Sequence, residues 1–172
     1  MPLLEHLEEL RRRLIRALIG YSVVLSVCLL FSKRLFELLI RPAIPFLPEG
    51  SSFIYTKLPE AFITYLKVAL IASIFGASPV LFYQAWQFVA PGLYKKERKA
   101  AIPFVLFSTI LFVSGAAVCY IAVLPWACKF FLGYSDEHTT AMLTIGEYLS
   151  FSTRLLLAFG VVFELPLAMM FM

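Results

Sequence analysis

Four long apolar runs fill most of this 172-residue chain and constrain its fold more than any other feature. A helix that crosses a bilayer core of about 30 Å needs about 20 mostly apolar residues, because lipid cannot satisfy open backbone hydrogen-bonding groups. Hydrophobic residues make up 61% of the chain, whereas soluble domains have roughly 45–50%. The sequence therefore predicts an all-α integral membrane protein with four transmembrane helices.

Charged and turn-forming residues mark where the spans begin and end. We predict a single membrane domain that starts with a cytoplasmic amphipathic helix at 1–13 and has spans at 14–32, 61–94, 100–133 and 148–172. The predicted connections are an extracytoplasmic cap at 33–60, a cytoplasmic loop at 95–99 and an extracytoplasmic loop at 134–147. Within the cap we expect a short helix around residues 35–39, followed by an ordered stretch that contains Pro42 and Pro48.

Two of the predicted spans are longer than a membrane requires. Spans two and three have 34 residues each, which is about 50 Å of helix, so they must tilt, bend or project beyond the hydrocarbon. A proline inside a helix removes one backbone hydrogen bond and clashes with the preceding turn. Pro79 and Pro125 are therefore expected to bend these spans and to give a curved or kinked bundle with a concave face.

Lys and Arg residues are slightly more numerous on one side of the predicted spans. Seven precede span one or lie between spans two and three, and five lie in or near the other connections. Because cytoplasmic loops are enriched in Lys and Arg, this bias favours a cytoplasmic N-terminus.

The residue types that usually carry catalysis form no recognisable motif in this sequence. Cys28, Cys119 and Cys128 lie in apolar runs without metal-ligand spacing, and His6 and His138 stand alone. The chain has no phosphate-binding loop, dinucleotide fingerprint, nucleophile elbow or zinc-protease motif. We therefore predict that it is not an enzyme, holds no metal or cofactor and binds no nucleic acid, and that phospholipid is its one obligatory partner.

Three glutamates are the strongest candidates for a functional role. Glu9 could pair with Arg13 four residues later, which contributes only a few tenths of a kcal/mol on an exposed helix, or it could belong to a binding site. Glu97, a lone carboxylate among four cations, leaves the same choice open. Glu164 lies within span four, where a charge costs about 2.5–3.5 kcal/mol, so it should face protein or water. These residues are also compatible with a proton-coupled transporter or channel that titrates Glu164, and with a structural membrane scaffold.

Four stretches of the sequence together resemble the TatC family, the receptor core of the twin-arginine protein translocase. They are Leu3 to Leu14 (Leu-Leu-Glu-His-Leu-Glu-Glu-Leu-Arg-Arg-Arg-Leu), Arg41-Pro42 with Leu47-Pro48, Ala77 to Phe88 with Pro91 to Arg98, and Phe159 to Pro166 (Phe-Gly-Val-Val-Phe-Glu-Leu-Pro). The run through span two and its cytoplasmic turn is the most specific of the four.

The resemblance implies a receptor that binds the twin-arginine signal peptides of folded cargo proteins on the cytoplasmic side of an energy-transducing membrane. It implies transport driven by the protonmotive force, in the inner membrane of a bacterium or in the thylakoid membrane. The partners that it implies are TatB- and TatA-type single-span membrane proteins and other TatC copies. TatC proteins have six spans, so spans five and six are expected to be absent from this chain.

Residue by residue, the resemblance assigns signal-peptide binding to Glu9 and Glu97, with Leu10, Arg11 and Phe88 around them. Two separated carboxylates suit an arginine pair, because a guanidinium forms parallel hydrogen bonds to a carboxylate that a lysine ammonium cannot reproduce. The resemblance also places Glu164 in a partly hydrated intramembrane cavity that contacts a partner, with Tyr120 joining it. A neutral, hydrogen-bonded structural glutamate is the competing interpretation. Pro166 follows Glu164 and is expected to mark a further kink.

Overall fold

The structure is a computed structural model, and it describes residues 2–47, 52–89, 101–134 and 143–170. Its helices are α1 (Pro2–Leu30), α2 (Ser32–Ile40), α3 (Glu60–Val89), α4 (Ala101–Val118), α5 (Leu124–Leu132) and α6 (Ile145–Met170). A short 3₁₀ helix at Ile44–Phe46 follows α2, and a π-helical turn at Cys119–Val123 joins α4 to α5. Four segments are long and apolar enough to cross a membrane, which confirms the predicted four-span architecture: Leu7–Leu30, Glu60–Phe88, Ile102–Leu132 and Ile145–Met170.

The first helix is continuous from the N-terminal segment into the first span. Helix α1 runs from Pro2 to Leu30 without a break, so the segment 1–13 is not set apart from span one. Leu7 and Leu14 are 58% and 57% exposed, which gives this part of α1 an open apolar face. A separate amphipathic helix on the membrane surface therefore stays a prediction.

Helices α1 and α3 pack closely in an antiparallel pair through two glycines. A Cβ atom on Gly20 would lie 2.8 Å from Val80 Cγ1, and one on Gly76 would lie 2.9 Å from Val24 Cγ1. Small residues let helix backbones approach each other in a membrane, where packing rather than water exclusion drives association. This close contact brings the start of α1 beside the end of α3.

Helix α3 accommodates Pro79 by means of the residue that precedes it. Proline has no N–H to donate, so the carbonyl oxygen of Phe75, four residues earlier, loses its usual partner. Ser78 Oγ donates a hydrogen bond of 2.6 Å to that oxygen, which satisfies it inside the apolar span. A π-helical turn ends at Val123, two residues before Pro125, and the bends expected at Pro79, Pro125 and Pro166 stay predictions.

Helix α2 forms most of the described cap, and the helix expected around residues 35–39 lies within it. Phe36 and Ala43 are buried against Val68 of α3 and Cys128 of α5. Pro42 lies two residues after the end of α2, and Pro48 lies outside the described residues. We call this end of the bundle the cap end. The opposite end, where α1 begins and α3 ends, is the N-terminal end.

The cap is fastened to the start of α6 by contacts that we call the cap clasp (Ile54 and Glu60 with residues 143–146). Ile54 N–H donates to the Leu143 carbonyl at 3.1 Å, and Ile145 N–H donates to the Ile54 carbonyl at 3.2 Å. The Glu60 carboxylate accepts four hydrogen bonds, from Thr56 N–H (2.7 Å), Thr56 Oγ1 (2.9 Å), Lys57 N–H (3.1 Å) and Gly146 N–H (3.0 Å). One carboxylate thus holds the cap loop and two spans together.

Candidate functional site

Glu9 at the N-terminal end forms an ion pair with Arg13, one helical turn further along α1. Arg13 donates two hydrogen bonds to Glu9 Oε1, one from Nε at 3.0 Å and one from Nη2. The side chains of Glu9 and Arg13 are only 33% and 18% exposed, whereas those of the neighbouring pair, Glu8 and Arg12, are 72% and 66% exposed. The pairing expected from the i,i+4 spacing is confirmed, and the structure adds that the Glu9 pair is the sheltered one.

Arg13 also connects α1 to the end of α3. Its Nη1 donates to Gln87 Oε1 at 3.3 Å, and Gln87 Nε2 donates to the Tyr83 hydroxyl at 3.0 Å. Glu9, Arg13, Gln87 and Tyr83 therefore form one polar network across two helices. We did not anticipate Gln87 and Tyr83 from the sequence, although their spacing of four residues in α3 was a detectable signal.

Aromatic residues hold the end of α3 against the start of α4. Trp86 is buried and stacks on Phe104, with ring centroids 4.2 Å apart and an interplanar angle of 26°. Phe88 is half-buried two residues further on. This packing fixes the helix end that carries Gln87, and through it the position of Arg13.

Those predicted signal-binding residues that the structure describes all lie at the N-terminal end of the bundle. Glu9, Leu10 and Arg11 are in the early part of α1, with Leu10 42% exposed and Arg11 exposed, and Phe88 is at the end of α3. Glu97 lies outside the described residues. Beside Glu9 is a surface groove of about 310 Å³ that is lined by two acidic and three basic residues: Glu8, Glu9, Arg12, Arg13 and Arg16.

The chemistry of this groove is that of a carboxylate that already holds a guanidinium. A second guanidinium from outside would have to share Glu9 or displace Arg13 from it. A carboxylate can select arginine over lysine, because a planar guanidinium can form two parallel charge-assisted hydrogen bonds that an ammonium group cannot reproduce.

Glu164 lies within α6 and is half-buried beside α4. The Ser108 hydroxyl and the Phe112 backbone lie near its carboxyl group. Neither Ser108 Oγ nor Glu164 Oε1 reaches hydrogen-bond geometry with another protein atom in the described part of the chain, and both are shielded from solvent. A polar group without a hydrogen bond inside a span is costly, so this carboxyl group is a natural place for water or a partner to bind.

Tyr120 contacts the cap through its hydroxyl group. Its hydroxyl donates a hydrogen bond of 2.6 Å to the Leu38 carbonyl near the end of α2. Tyr148 makes the corresponding contact with the Leu39 carbonyl at 3.0 Å. The Tyr120 hydroxyl proton is therefore used in the cap, and a contribution of Tyr120 to the Glu164 cavity stays a prediction.

Comparison with known proteins extends over nearly the whole chain. The family model described as Sec-independent protein translocase protein (TatC) matches residues 5–172. The Sec-independent protein translocase protein TatC of Desulforapulum autotrophicum is 47% identical over 99% of this chain and 63% of its own length. The TatC protein of Escherichia coli K12 is 38% identical over 97% of this chain and 65% of its own length. The chain thus spans slightly less than two thirds of these relatives.

A solved structure has the same fold. The crystal structure of the twin arginine translocase receptor TatC superposes with a TM-score of 0.85 at 38% identity, over 95% of this chain and 72% of that chain. The two proteins therefore agree both in the arrangement of their helices and in sequence.

Proposed function

Because the chain belongs to the TatC family of Sec-independent protein translocase proteins, we propose that it binds twin-arginine signal peptides through Glu9. One observation carries this proposal: Glu9 is a sheltered carboxylate that already accepts two hydrogen bonds from the guanidinium group of Arg13. The position of the carboxylate therefore suits an arginine side chain. Glu97, Leu10, Arg11 and Phe88 complete the proposed binding surface by resemblance.

Binding on this surface is an exchange of one guanidinium for another. In the free protein, Arg13 occupies Glu9 and Gln87 holds Arg13 in place at 3.3 Å. A signal-peptide arginine takes over the Glu9 carboxylate, and Arg13 retains Gln87 as an alternative acceptor. Glu97 receives the second arginine of the pair. Hydrogen bonds to charged groups contribute roughly 1.5–3 kcal/mol each, so each carboxylate can account for about one to two powers of ten in affinity.

The rest of the proposal concerns the translocase in which the chain works. The chain is a non-enzymatic core subunit that takes part in protonmotive-force-driven transport of folded proteins. It assembles with TatB- and TatA-type single-span proteins and with other TatC copies, in a bacterial inner membrane or a thylakoid membrane, with its N-terminus cytoplasmic or stromal. The family and the four apolar helices support this placement.

Glu164 is the proposed intramembrane contact for a single-span partner. Its Oε1 has no hydrogen bond to protein atoms in the described residues, so a polar group of a partner helix would find an acceptor or donor there. Replacing Glu164 by Leu is expected to reduce partner capture while signal-peptide capture at the N-terminal end is retained. Loss of both would indicate a general folding role instead.

Site-specific crosslinking to the membrane-embedded chain tests the receptor proposal. The probe is a twin-arginine signal peptide, compared with the same peptide carrying two lysines, on wild type, Glu9→Gln and Glu97→Gln. Glu8→Gln is the matched control, because Glu8 is the exposed neighbour of Glu9 and pairs with Arg12 at 3.7 Å. We expect selective capture by wild type and Glu8→Gln, and its loss in the other two variants. Equal capture of both peptides by all four proteins would contradict the proposal.

A further inference from the structure

A polar groove lies at the cap end of the bundle, between the first turns of α3 and α6. It has a volume of about 590 Å³, and three cationic residues line it: Lys57, Lys67 and Arg154. Two acidic residues, Glu60 and Glu147, line it as well. The groove lies at the opposite end of the spans from Glu9, so it is separate from the signal-peptide site proposed above.

The charges in the groove are ordered by depth. Glu60 is the first residue of α3 and Glu147 lies in the first turn of α6. Lys67 and Arg154 each follow the acidic residue of their helix by seven positions, which is about 10 Å along the helix axis. Both cations therefore lie below the rim, within segments long and apolar enough to span a membrane.

The two acidic residues do not neutralise these cations. The Glu60 carboxylate already accepts four hydrogen bonds within the cap clasp. Among the described residues, the ion pairs join Arg12 to Glu8 and Arg13 to Glu9, and neither Lys67 nor Arg154 has a carboxylate at salt-bridge distance. A charge inside a membrane span is costly unless it is paired or solvated. An anion from outside the chain would supply the missing partner.

Helix α6 continues the groove toward the membrane centre as an open stripe. Residues three or four positions apart lie on one helix face, and six such residues are all exposed: Glu147, Phe151, Arg154, Ala158, Val161 and Leu165. The stripe is thus acidic at the rim, basic one level deeper and apolar from there on. This order matches a molecule with a charged group at the interface and a hydrocarbon chain below it.

We propose that this groove binds the phosphate of an anionic phospholipid from the leaflet at the cap end, between Lys67 and Arg154. Basic pockets between spans bind lipid headgroups in this way, because a phosphate accepts several charge-assisted hydrogen bonds at once. Lys57 at the rim adds a third cation, so three cationic and two acidic residues give the groove a formal net charge of +1, which favours a headgroup with net negative charge. The acyl chain lies along Ala158, Val161 and Leu165.

Native mass spectrometry of the purified chain in detergent tests this proposal. The probes are phosphatidylglycerol and phosphatidylcholine with identical acyl chains, each added at the same ratio to wild type and to Lys67→Gln/Arg154→Gln. Lys129→Gln is the matched control, because Lys129 is an exposed cation near the cap end of another span and does not line the groove. We expect the amount of phosphatidylglycerol retained by the double variant to fall about tenfold or more, as for the loss of one charge-assisted contact. Lys129→Gln should retain as much as wild type.

A conservative variant separates a lipid site from a folding defect. Lys67→Arg keeps the charge, so it should retain phosphatidylglycerol near the wild-type level, and helical circular dichroism should be the same for all variants. The proposal fails if wild type retains both lipids equally, or if the double variant matches Lys129→Gln. It also fails if inorganic phosphate displaces the lipid, which would assign the groove to a free anion. If wild type retains neither lipid, protein rather than lipid covers the groove, and the proposal is equally wrong.

Discussion

Glu60 and Gly146 lie 86 positions apart in the chain, and the Gly146 N–H donates a hydrogen bond of 3.0 Å to Glu60 Oε1. A Cβ atom at position 146 would lie 2.7 Å from that oxygen, so the Glu60 carboxylate would have to shift to admit a larger residue there. It joins the first residue of α3 to the first turn of α6 and closes the cap over both. The cap is therefore held by this polar contact in addition to the apolar cluster in which Phe36 and Ala43 are buried.

Replacing Glu60 by Gln should loosen the cap. The amide has only one acceptor oxygen, so it cannot accept hydrogen bonds from the cap loop and from Gly146 on separate oxygens, as the carboxylate does. We expect faster protease cleavage of the cap and a lower apparent Tm in detergent. Gly146→Ala should also lower the apparent Tm, by about 3 °C. Glu147→Gln, a change of the same kind outside the clasp, is the control. Identical cleavage rates for the two glutamine variants would show that the clasp does not hold the cap.

Removing the internal guanidinium should strengthen signal-peptide binding. In Arg13→Gln the Glu9 carboxylate no longer has to be exchanged, and an i,i+4 ion pair of this kind contributes up to about 1 kcal/mol. We therefore expect peptide affinity to rise roughly two- to fivefold, measured by titrating a fluorescent twin-arginine peptide. Arg12→Gln, which removes the exposed pair with Glu8, should leave the affinity nearly unchanged. A weaker affinity in Arg13→Gln would instead make Arg13 part of the peptide-binding surface.

The pairing of Ser78 with Pro79 predicts a non-additive result. Ser78→Ala leaves the Phe75 carbonyl without its hydrogen bond and should lower the free energy of unfolding by about 1–2 kcal/mol. Adding Pro79→Ala restores a backbone N–H at position 79, so the double variant should recover most of that loss. Ser114→Ala is the control. Ser114 contacts the Leu111 carbonyl, and the residue four positions after Leu111 is Gly115, which keeps its backbone N–H. Additive losses in unfolding titrations in mixed micelles would contradict this account of Pro79.

Tyr120→Phe should affect the cap and leave the Glu164 region unchanged. The variant loses the hydrogen bond to the Leu38 carbonyl, so amide hydrogen exchange in α2 should become several times faster. Tyr134→Phe removes a hydroxyl from a side chain that is 71% exposed and serves as the control. If Tyr120→Phe reduced partner capture while α2 kept its wild-type exchange, Tyr120 would belong to the Glu164 site after all.

The sequence predicts the spans well, because span formation depends on length and hydropathy that can be read from any stretch of about 20 residues. It also predicts the Glu9 and Arg13 pair, since residues four apart on a helix are neighbours. It does not predict Gln87 as a partner of Arg13, because that contact depends on how α1 and α3 are aligned along their axes. Nor does it predict the clasp, since a backbone amide such as that of Gly146 has no signature in the sequence. The hydrogen bond from Tyr120 to the Leu38 carbonyl is likewise not predicted, because it joins residues 82 positions apart.

The long-range contacts of the cap impose an order on biosynthesis. Polar groups of the first loop and its borders find their partners between 82 and 109 residues later: Leu38 with Tyr120, Glu60 with Gly146 and Leu39 with Tyr148. Because a chain emerges from the ribosome N-terminal end first, these groups wait until the start of the fourth span has been made. The cap can therefore complete its hydrogen bonds only after the start of the fourth span has been synthesised.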